Sequence, residues 1–452
     1  MIVIMKAQKA VLSLFQKKQI IPEEQVWDYL RNFSETQYQP ITVDVAMKHS
    51  IYNISRHKGR TYLLYNTLFN SMITMSDTEF EQYEKIQFSD LTLVEALTDN
   101  GFLLPEFIEE YQRYAYYQHL LNDQFQDYRH YTVALTSRCN ARCIYCYEEG
   151  VPQYDMSLET AEKFTELLCK SEKQIDLTWF GGEPLLKTDL IQYITKTLHE
   201  NNKSFDSGVI TNGSLLTEDM ICRQFPEWGI SWVQISLDGT KEEYLRRKCY
   251  YSNKTDIFEN LISNIELLVK QKISVNLRLN MDAANSEDCV RAAEYLKEKF
   301  SDSHCLLAYP AFLSGTAYAI DNDRQRIEHV SPIYQLYPPE RSLLLNIPKI
   351  NSCYFQQQGA FVIDTDGSIL CCERDIGRQK TKISSVQEIS VLDTLYKPAS
   401  VFPETRKQCQ TCAYYPKCLG GCIGAYDSPC QYDACFMEKY KIQYLLNKMI
   451  DF

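Results

Sequence analysis

The feature that most constrains the fold is a regular alternation of short apolar runs with stretches of helical periodicity between Tyr131 and Tyr309. Helical periodicity is clearest in Leu158–Cys169, Ile257–Lys270 and Glu287–Phe300. Strands that alternate with helices build a parallel sheet, and six units are too few for a closed eight-stranded barrel. The sequence therefore predicts an α/β fold with a partial (β/α)6 TIM-type barrel. The six candidate strands are Tyr131–Leu135, Ile175–Phe180, Gly208–Thr211, Trp232–Leu237, Ile273–Leu279 and Cys305–Tyr309.

Two further segments flank the barrel, which we place at residues 126–320. Residues 1–125 contain no cysteine and predict a small α+β domain. Its signals are a hairpin (Thr61–Tyr65 with Ser71–Met75), a helix capped by Ser76-Asp77, and a helix over Leu91–Leu97 that ends at Asn100-Gly101. Residues 321–452 predict a third domain: an irregular linker with short helical pieces over 321–350, then a cysteine-rich segment, then a helix over Phe436–Ile450.

Charge and hydropathy exclude several classes of function. The chain has 47 Lys and Arg against 59 Asp and Glu, a net charge of −12, which disfavours general binding to nucleic acid or to an anionic membrane. The longest stretch without these four residue types, Ser303–Ile320, contains Pro310 and Gly315, and a membrane-spanning helix needs about 20 mostly apolar residues. The apolar run Ala10–Phe15 is too short for a secretory signal. We expect a cytoplasmic protein that contacts neither membrane nor nucleic acid.

Cysteine content points to metal chemistry. The chain has 17 cysteines, and thiols stay reduced in the cytosol, so a disulfide framework is not expected. Three of them follow the first strand with C-x3-C-x2-C spacing: Cys139, Cys143 and Cys146. Three thiolates in one loop can hold three irons of a [4Fe–4S] cluster and leave the fourth iron for another ligand. Structural zinc is the alternative, but it usually requires four ligands, and no nearby histidine completes the set.

These residues, together with motifs at later strand ends, resemble the radical SAM superfamily over residues 130–310. Aromatic Tyr145 precedes the third cysteine, as in that family's signature, and the resemblance places it near the adenine of S-adenosylmethionine (SAM). Gly181, Gly182 and Glu183 belong to a Gly-Gly-Glu-Pro motif, which implies contacts to the methionine amino group. Ser236 ends the fourth strand, and with Lys248 it is implied to contact the methionine carboxylate, although many relatives have Arg at the latter position. Asn280 would lie near the ribose.

The resemblance implies a radical enzyme. A reduced [4Fe–4S] cluster would cleave bound SAM to methionine and a 5′-deoxyadenosyl radical, and the radical would abstract a hydrogen atom from the substrate. In such enzymes the cofactor carries the difficult step, while the protein supplies binding and orientation. The electron would come from a donor such as flavodoxin or ferredoxin.

The second cysteine field resembles the SPASM domain of radical SAM enzymes, which binds two auxiliary [4Fe–4S] clusters, giving three clusters in all. The first auxiliary cluster would use Cys353, Cys372 and Cys422. The second would use Cys409, Cys412, Cys418 and Cys435, the last preferred over Cys430. A zinc ribbon is the alternative. Asp366-Gly367 predicts a hairpin that ends near Cys371 and Cys372, and alternating side chains allow only one of these two cysteines to face a given cluster.

Radical SAM enzymes with this domain mostly modify peptides, and residues 1–125 resemble the winged-helix-like domain that binds the leader of a precursor peptide. We therefore expect a maturase that installs a crosslink, such as a cysteine thioether, in a ribosomally made precursor peptide. On this view, removal of residues 1–110 from otherwise intact protein abolishes peptide binding and spares SAM cleavage. The alternatives are an enzyme that resembles the formylglycine-generating sulfatase maturases, with Glu373 as a candidate base, and a non-catalytic iron–sulfur electron carrier.

Overall fold

A computed structural model of the chain describes residues 2–33, 45–124, 128–251, 256–301, 303–313, 320, 323–338, 355, 357–397, 407–420 and 434–450. The helices are α1 (Ile2–Phe15), α2 (Glu23–Asn32), α3 (Asp77–Lys85), α4 (Leu91–Asp99), α5 (Glu110–Gln124), α6 (Leu158–Lys170), α7 (Thr188–Glu200), α8 (Phe225–Glu227), α9 (Lys241–Lys248), α10 (Ile257–Lys270), α11 (Ser286–Lys299), α12 (Asp323–Leu336), α13 (Lys407–Gln410), α14 (Tyr415–Cys418) and α15 (Ala434–Ile450). The strands are β1 (Met47–His49), β2 (Asn53–Lys58), β3 (Thr61–Asn66), β4 (Ser71–Ser76), β5 (Leu103–Pro105), β6 (Tyr128–Thr136), β7 (Gln174–Gly181), β8 (Phe205–Thr211), β9 (Ile230–Leu237), β10 (Ser274–Met281), β11 (Leu306–Phe312), β12 (Ala360–Ile363), β13 (Ser368–Leu370) and β14 (Lys382–Ser385).

A nine-stranded sheet in the order β11-β10-β9-β8-β7-β6-β12-β13-β14 forms the centre of the molecule. Strands β6 to β11 are all parallel to their neighbours, and α6, α7, α10 and α11 pack against one face of them. This arrangement confirms the predicted α/β partial barrel, with small shifts at the strand ends. Burial alternates along the strands: on β9, Val233, Ile235 and Leu237 are buried, while Gln234 and Ser236 are only half-buried on the opposite face.

The predicted cysteine-bearing hairpin belongs to the same sheet. Strands β12 and β13 pair antiparallel across a turn in which Gly367 has φ +82°, a conformation that glycine adopts readily. Strand β12 then pairs in parallel with β6, from Ala360 opposite His130 to Ile363 opposite Val133. The hairpin therefore extends the barrel sheet beyond β6.

Within the segment predicted as an irregular linker with short helical pieces, residues 323–336 form one regular helix. Helix α12 has 14 residues and contains Pro332, whose missing N–H and ring normally disrupt a helix interior by about 3 kcal/mol. Val330, Ile333 and Tyr334 are buried in the same hydrophobic cluster as the barrel core. This burial offsets the cost of the proline, which local sequence reasoning weighed too heavily.

The N-terminal segment contains the predicted hairpin and capped helices. Strands β2, β3 and β4 form an antiparallel sheet. Ser76 caps α3 through a capping box with Glu79, and Asn100 caps α4, followed by Gly101 at φ +76°. Helices α1 and α2 were not predicted from the sequence.

Segments from the C-terminal part of the chain pack on this N-terminal sheet. Ile442, Leu445 and Leu446 of α15 form one hydrophobic cluster with residues of β2 and β3. Tyr415 and Leu419, next to α14, form another with N-terminal residues. The predicted third segment is thus shared between the barrel sheet and the N-terminal module, by which we mean the part of residues 2–124 that the structure describes. Across the described ranges, no helix combines the length and the apolar character that crossing a bilayer requires.

Candidate active site

The loop that contains Cys139, Cys143 and Cys146 begins where β6 ends. The first residues of this cysteine loop are hydrogen-bonded to the loop that follows β7. The backbone N–H of Gly182 donates to the Thr136 carbonyl at 2.8 Å, and that of Glu183 donates to the Arg138 carbonyl at 2.9 Å. The two backbones lie so close that a Cβ atom on Gly182 would be 2.4 Å from the Arg138 oxygen. The glycines therefore allow one strand-end loop to position the other.

This close approach predicts the effect of Gly182→Ala. The new methyl group would meet backbone atoms, so the cysteine loop would have to shift. We expect the activity predicted from the family resemblance, cleavage of SAM, to fall about 100-fold, because displacements near 1 Å have that effect on catalytic geometry. The control is Gly150→Ala in the same loop region, where φ is +81° but no atom lies within 4 Å of the new Cβ. Equal losses in the two variants would contradict the steric explanation.

Helix α9 fixes the other side of the cysteine loop. The N–H groups of Arg142 and Ile144 donate to the carbonyls of Lys248 and Arg247, each at 3.0 Å. These carbonyls lie in the last turn of α9, where they have no partner within the helix. The cysteine loop therefore provides hydrogen-bond donors for the free carbonyl groups at the end of α9. In return, the helix keeps the cysteines next to Lys248.

The three thiols of this loop fit an iron–sulfur site. Burial raises the pKa of Cys139 to about 11 and raises those of Cys143 and Cys146 as well, while Lys248 opposes the rise at Cys143. Each thiol interacts electrostatically with at least one of the others, so the three are neighbours. Over the described ranges, no three His, Cys, Asp or Glu side chains converge as ligands of one ion. Each of the three thiolates would hold one iron of a [4Fe–4S] cluster, and cluster binding would release the thiol protons.

A buried hydrogen-bonded network joins the ends of β9 and β10 to the cysteine loop. The Tyr145 hydroxyl donates to Asp238 at 2.7 Å and accepts from the Lys248 ammonium at 3.0 Å. The same ammonium donates to the Ser236 hydroxyl at 2.7 Å and lies 3.4 Å from an Asp238 oxygen. The Asn280 amide donates to Tyr145 and to Asp238. The structure thus brings together four residues predicted for SAM, around a carboxylate that the prediction did not include.

Glu183 is fully buried and ties the ends of β7 and β8 together. Its carboxylate accepts from the Thr211 hydroxyl at 2.7 Å, from the Asn212 N–H at 2.9 Å and from the Leu185 N–H at 3.2 Å. Burial raises the pKa of Glu183, and these donors lower it. A carboxylate has about four acceptor positions, so one is left for a ligand such as an ammonium group.

The face of the sheet opposite the helices lines a polar lumen. The Tyr309 hydroxyl of β11 donates to Gln234 of β9 at 2.8 Å. Arg278 of β10 faces Glu373, which follows the hairpin: burial raises the pKa of Glu373, and the guanidinium of Arg278 opposes that rise. Glu373 is half-buried, and Arg278 lies on the face of β10 opposite the buried Leu277 and Leu279. The hairpin therefore contributes a carboxylate to the lumen.

The structure places part of the second cysteine field. Cys371 is 1% exposed and Cys372 is half-buried, as expected if the two adjacent side chains point in opposite directions. Cys409, Cys412 and Cys418 lie against the N-terminal module, with Cys409 and Cys412 in the cluster that contains Tyr415. Three predicted ligands are not placed: Cys353 and Cys422 lie outside the described residues, and so does the side chain of Cys435.

Residues 133–307 match the family model of the radical SAM superfamily. This segment is a radical SAM domain. An uncharacterized protein of Methanocaldococcus jannaschii is 33% identical over 135 residues, which are 29% of this chain and 46% of that protein. The GTP 3′,8-cyclase of Helicobacter pylori is 27% identical over 227 residues, 46% of this chain and 64% of the cyclase. The chain therefore spans less than two thirds of the length of either relative.

Among solved structures, anSMEcpe with bound AdoMet and the Kp18Cys peptide has a similar fold. Its TM-score is 0.60 at 18% sequence identity, over 72% of this chain and 98% of that chain. At this level of identity, the likeness concerns the fold, and it agrees with the partial barrel of the radical SAM domain.

Sequence reasoning missed several residues of this site. Asp238, at the centre of the network, is fully buried, and it stood in the Ser-Leu-Asp-Gly motif without being assigned a role. Arg247 is also buried and pairs with Asp282 at 2.7 Å behind the network. Arg278 precedes Asn280 by two residues, and this spacing alone places both on one face of β10. The alternation of the strand could have identified it.

Proposed function

We propose that this chain is a radical SAM peptide maturase, which uses bound SAM to install a crosslink in a precursor peptide. The observation that carries the SAM part is the meeting of the three-cysteine loop with the Tyr145–Asp238–Lys248–Ser236–Asn280 network at the carboxyl ends of the parallel strands. In barrels of this type, that edge is where substrates and cofactors bind.

The network offers a place for the two charged ends of an amino acid. The Lys248 ammonium has three N–H donors, of which two go to hydroxyl groups and the third faces Asp238 at 3.4 Å. A carboxylate of SAM would take that third donor, with Ser236 beside it. The open acceptor position of Glu183 would take the ammonium group of SAM. These residues bind and orient SAM next to the three thiolates.

The lumen gives the peptide a polar site between SAM and the C-terminal hairpin. Arg278 and Glu373 offer opposite charges, and Tyr309 and Gln234 offer hydrogen bonds to a peptide backbone. SAM held by these residues would supply a 5′-deoxyadenosyl radical on one-electron cleavage, and the peptide carbon would give its hydrogen atom to that radical. Closing the C–S bond would then release a proton from a cysteine thiol and one electron, which an auxiliary cluster would accept. SAM cleavage itself would draw its electron from a donor such as flavodoxin or ferredoxin.

The N-terminal module supports a peptide substrate. Strand β2 is at an edge of its three-stranded sheet, and Arg56 and Arg60 lie along and just beyond it. An extended peptide can add to such an edge through main-chain hydrogen bonds. The basic side chains favour an acidic leader segment. We infer that this edge binds the leader and delivers the rest of the peptide to the lumen.

The proposal predicts that Arg56→Glu combined with Arg60→Glu weakens binding of the precursor peptide. Two charge reversals next to the edge should raise the Kd at least about tenfold at low salt, and less at high salt because exposed charges are screened. The probe is a fluorescent peptide from a short reading frame next to this gene, followed by anisotropy. The matched control, Lys17→Glu with Lys18→Glu, changes the charge equally at exposed positions of the same module.

In the same samples, the peptide product should lose two hydrogen atoms per crosslink, and the variant should still cleave SAM without a peptide. An unchanged Kd would exclude β2 as the leader site. A peptide that binds but is never changed in mass by the reduced enzyme would exclude the maturase assignment.

A second candidate, formylglycine formation, is favoured by one observation: Glu373 lies by the lumen, where a base is needed. The product separates the two candidates. A formylglycine carries an aldehyde that reacts with a hydrazide. A thioether does not react with a hydrazide, but it lowers by one the number of cysteine thiols in the peptide that can be alkylated.

A further inference from the structure

A cluster of tyrosines covers the segment that contains Cys409, Cys412 and Cys418. The ring of Tyr52, in the turn before β2, lies 6.0 Å from that of Tyr114 in α5. The Tyr114 ring lies 5.8 Å from that of Tyr415 in α14, and Tyr111 lies 5.6 Å from Tyr415 on the other side. These aromatic rings share one hydrophobic cluster with Cys409 and Cys412. The N-terminal module is therefore a wall of the proposed second auxiliary site.

Further contacts hold this wall in place. The Thr67 hydroxyl donates to the Ala413 carbonyl, directly after Cys412, and the Lys417 ammonium donates to the Asn70 side chain, directly before Cys418. Lys417 is 2% exposed, which is rare for a lysine. The backbone on either side of the cysteines is thus attached to residues near the end of β3 and the start of β4.

The hydroxyl of Tyr52 stands out in this wall. Tyr52 is fully buried, and within the described ranges its hydroxyl has no hydrogen-bond partner. Tyr52 belongs to the same hydrophobic cluster as Cys409 and Cys412, and its ring contacts that of Tyr114 within this cluster. A buried hydroxyl without a partner destabilises the folded state, and native proteins leave few of them. An acceptor at the cysteine site would remove this cost.

We propose that Tyr52 donates a hydrogen bond to a sulfur of the iron–sulfur cluster bound by Cys409, Cys412 and Cys418, either the Cys412 thiolate or a cluster sulfide. The inference rests on the proposed function, which supplies that cluster. Hydrogen bonds to the sulfurs are one of the means by which proteins set the potential of such clusters. The bond stabilises the reduced, more negative state, so Tyr52 raises the reduction potential. The module proposed to bind the leader therefore also tunes an electron acceptor.

The test is Tyr52→Phe in the full chain with reconstituted clusters. Iron content is measured first, and then the midpoint potential of each cluster by an EPR-monitored titration. We expect the iron content to stay unchanged. We expect the midpoint potential of one auxiliary cluster to fall by about 59 mV, which is a tenfold decrease in the equilibrium constant for its one-electron reduction. The matched control is Tyr131→Phe, because Tyr131 is equally buried with an unpartnered hydroxyl but packs against Phe164 and Phe361. It should leave all potentials unchanged.

The outcomes separate the inference from the function on which it rests. If Cys412→Ser removes no iron from the wild-type complement, the proposed cluster is absent, and this is known before Tyr52 is changed. If the cluster is present and Tyr52→Phe leaves every potential unchanged, the hydrogen bond does not exist. If Tyr52→Phe alone strips the iron while Tyr131→Phe retains it, the hydroxyl holds the segment instead of tuning the potential, which also overturns the proposal.

Discussion

Cys143→Ala is expected to reduce the formation of 5′-deoxyadenosine to background. Cys143 is the middle cysteine of the C-x3-C-x2-C loop, and its thiol interacts with the Lys248 ammonium of the network and with the Cys146 thiol. Two remaining thiolates leave two irons of a [4Fe–4S] cluster without a protein ligand. The measurement is the amount of 5′-deoxyadenosine formed from SAM by the chemically reduced protein, together with iron content.

The control for this prediction is Cys222→Ala. Cys222 is exposed and lies in the π-helical turn Met220–Gln224, where it contacts the Gln271 amide at 3.6 Å. Its removal changes the thiol count equally, and it should leave both iron content and SAM cleavage unchanged. Normal SAM cleavage by Cys143→Ala would refute the assignment of the loop.

Deletion of residues 1–110 is expected to destabilise the C-terminal part of the chain, rather than to leave an active enzyme without peptide binding. Leu419, Ile442, Leu445 and Leu446 are buried in clusters with the N-terminal module and would become exposed. Each exposure costs about 1.5–3 kcal/mol, and a whole domain is stable by only about 5–15 kcal/mol. The sequence suggested a removable recognition domain, and these contacts change that expectation.

Thermal unfolding, size-exclusion chromatography and iron content of the shortened chain test this prediction. We expect aggregation or the loss of about a third of the iron, if the second auxiliary site holds one of three [4Fe–4S] clusters. The Arg56→Glu and Arg60→Glu variant serves as the control, because it changes the same module without exposing its core. A monomeric shortened protein with full iron content would show that the module is dispensable for the auxiliary site.

The barrel could be predicted from the sequence because its signals are local: each strand is a short apolar run. The candidate SAM residues came from the family resemblance, and the fold brings Tyr145, Ser236, Lys248 and Asn280 together, the strand ends through their parallel order and Lys248 through α9. The capping box at Ser76 and the turn at Gly367 are local signals as well.

Other features depended on contacts between distant parts of the chain. No local pattern shows that β12 pairs with β6, or that Thr67 bonds to Ala413. The helix around Pro332 forms because its apolar residues pack on the barrel, which overrides a local preference. The orphan hydroxyl of Tyr52 is visible only once burial is known.

The pairing of β12 with β6 has a consequence for substrate choice. Strand β6, which precedes the first cysteine loop, pairs with β12, and β12 pairs with β13, the strand that precedes Cys372. The two loops therefore belong to one continuous sheet and do not swing apart as separate domains do. On the proposed function, a peptide would have to thread into the lumen, a chamber whose width this sheet fixes. Folded proteins would be turned away, while a flexible chain held elsewhere by its leader could sample the chamber one residue at a time.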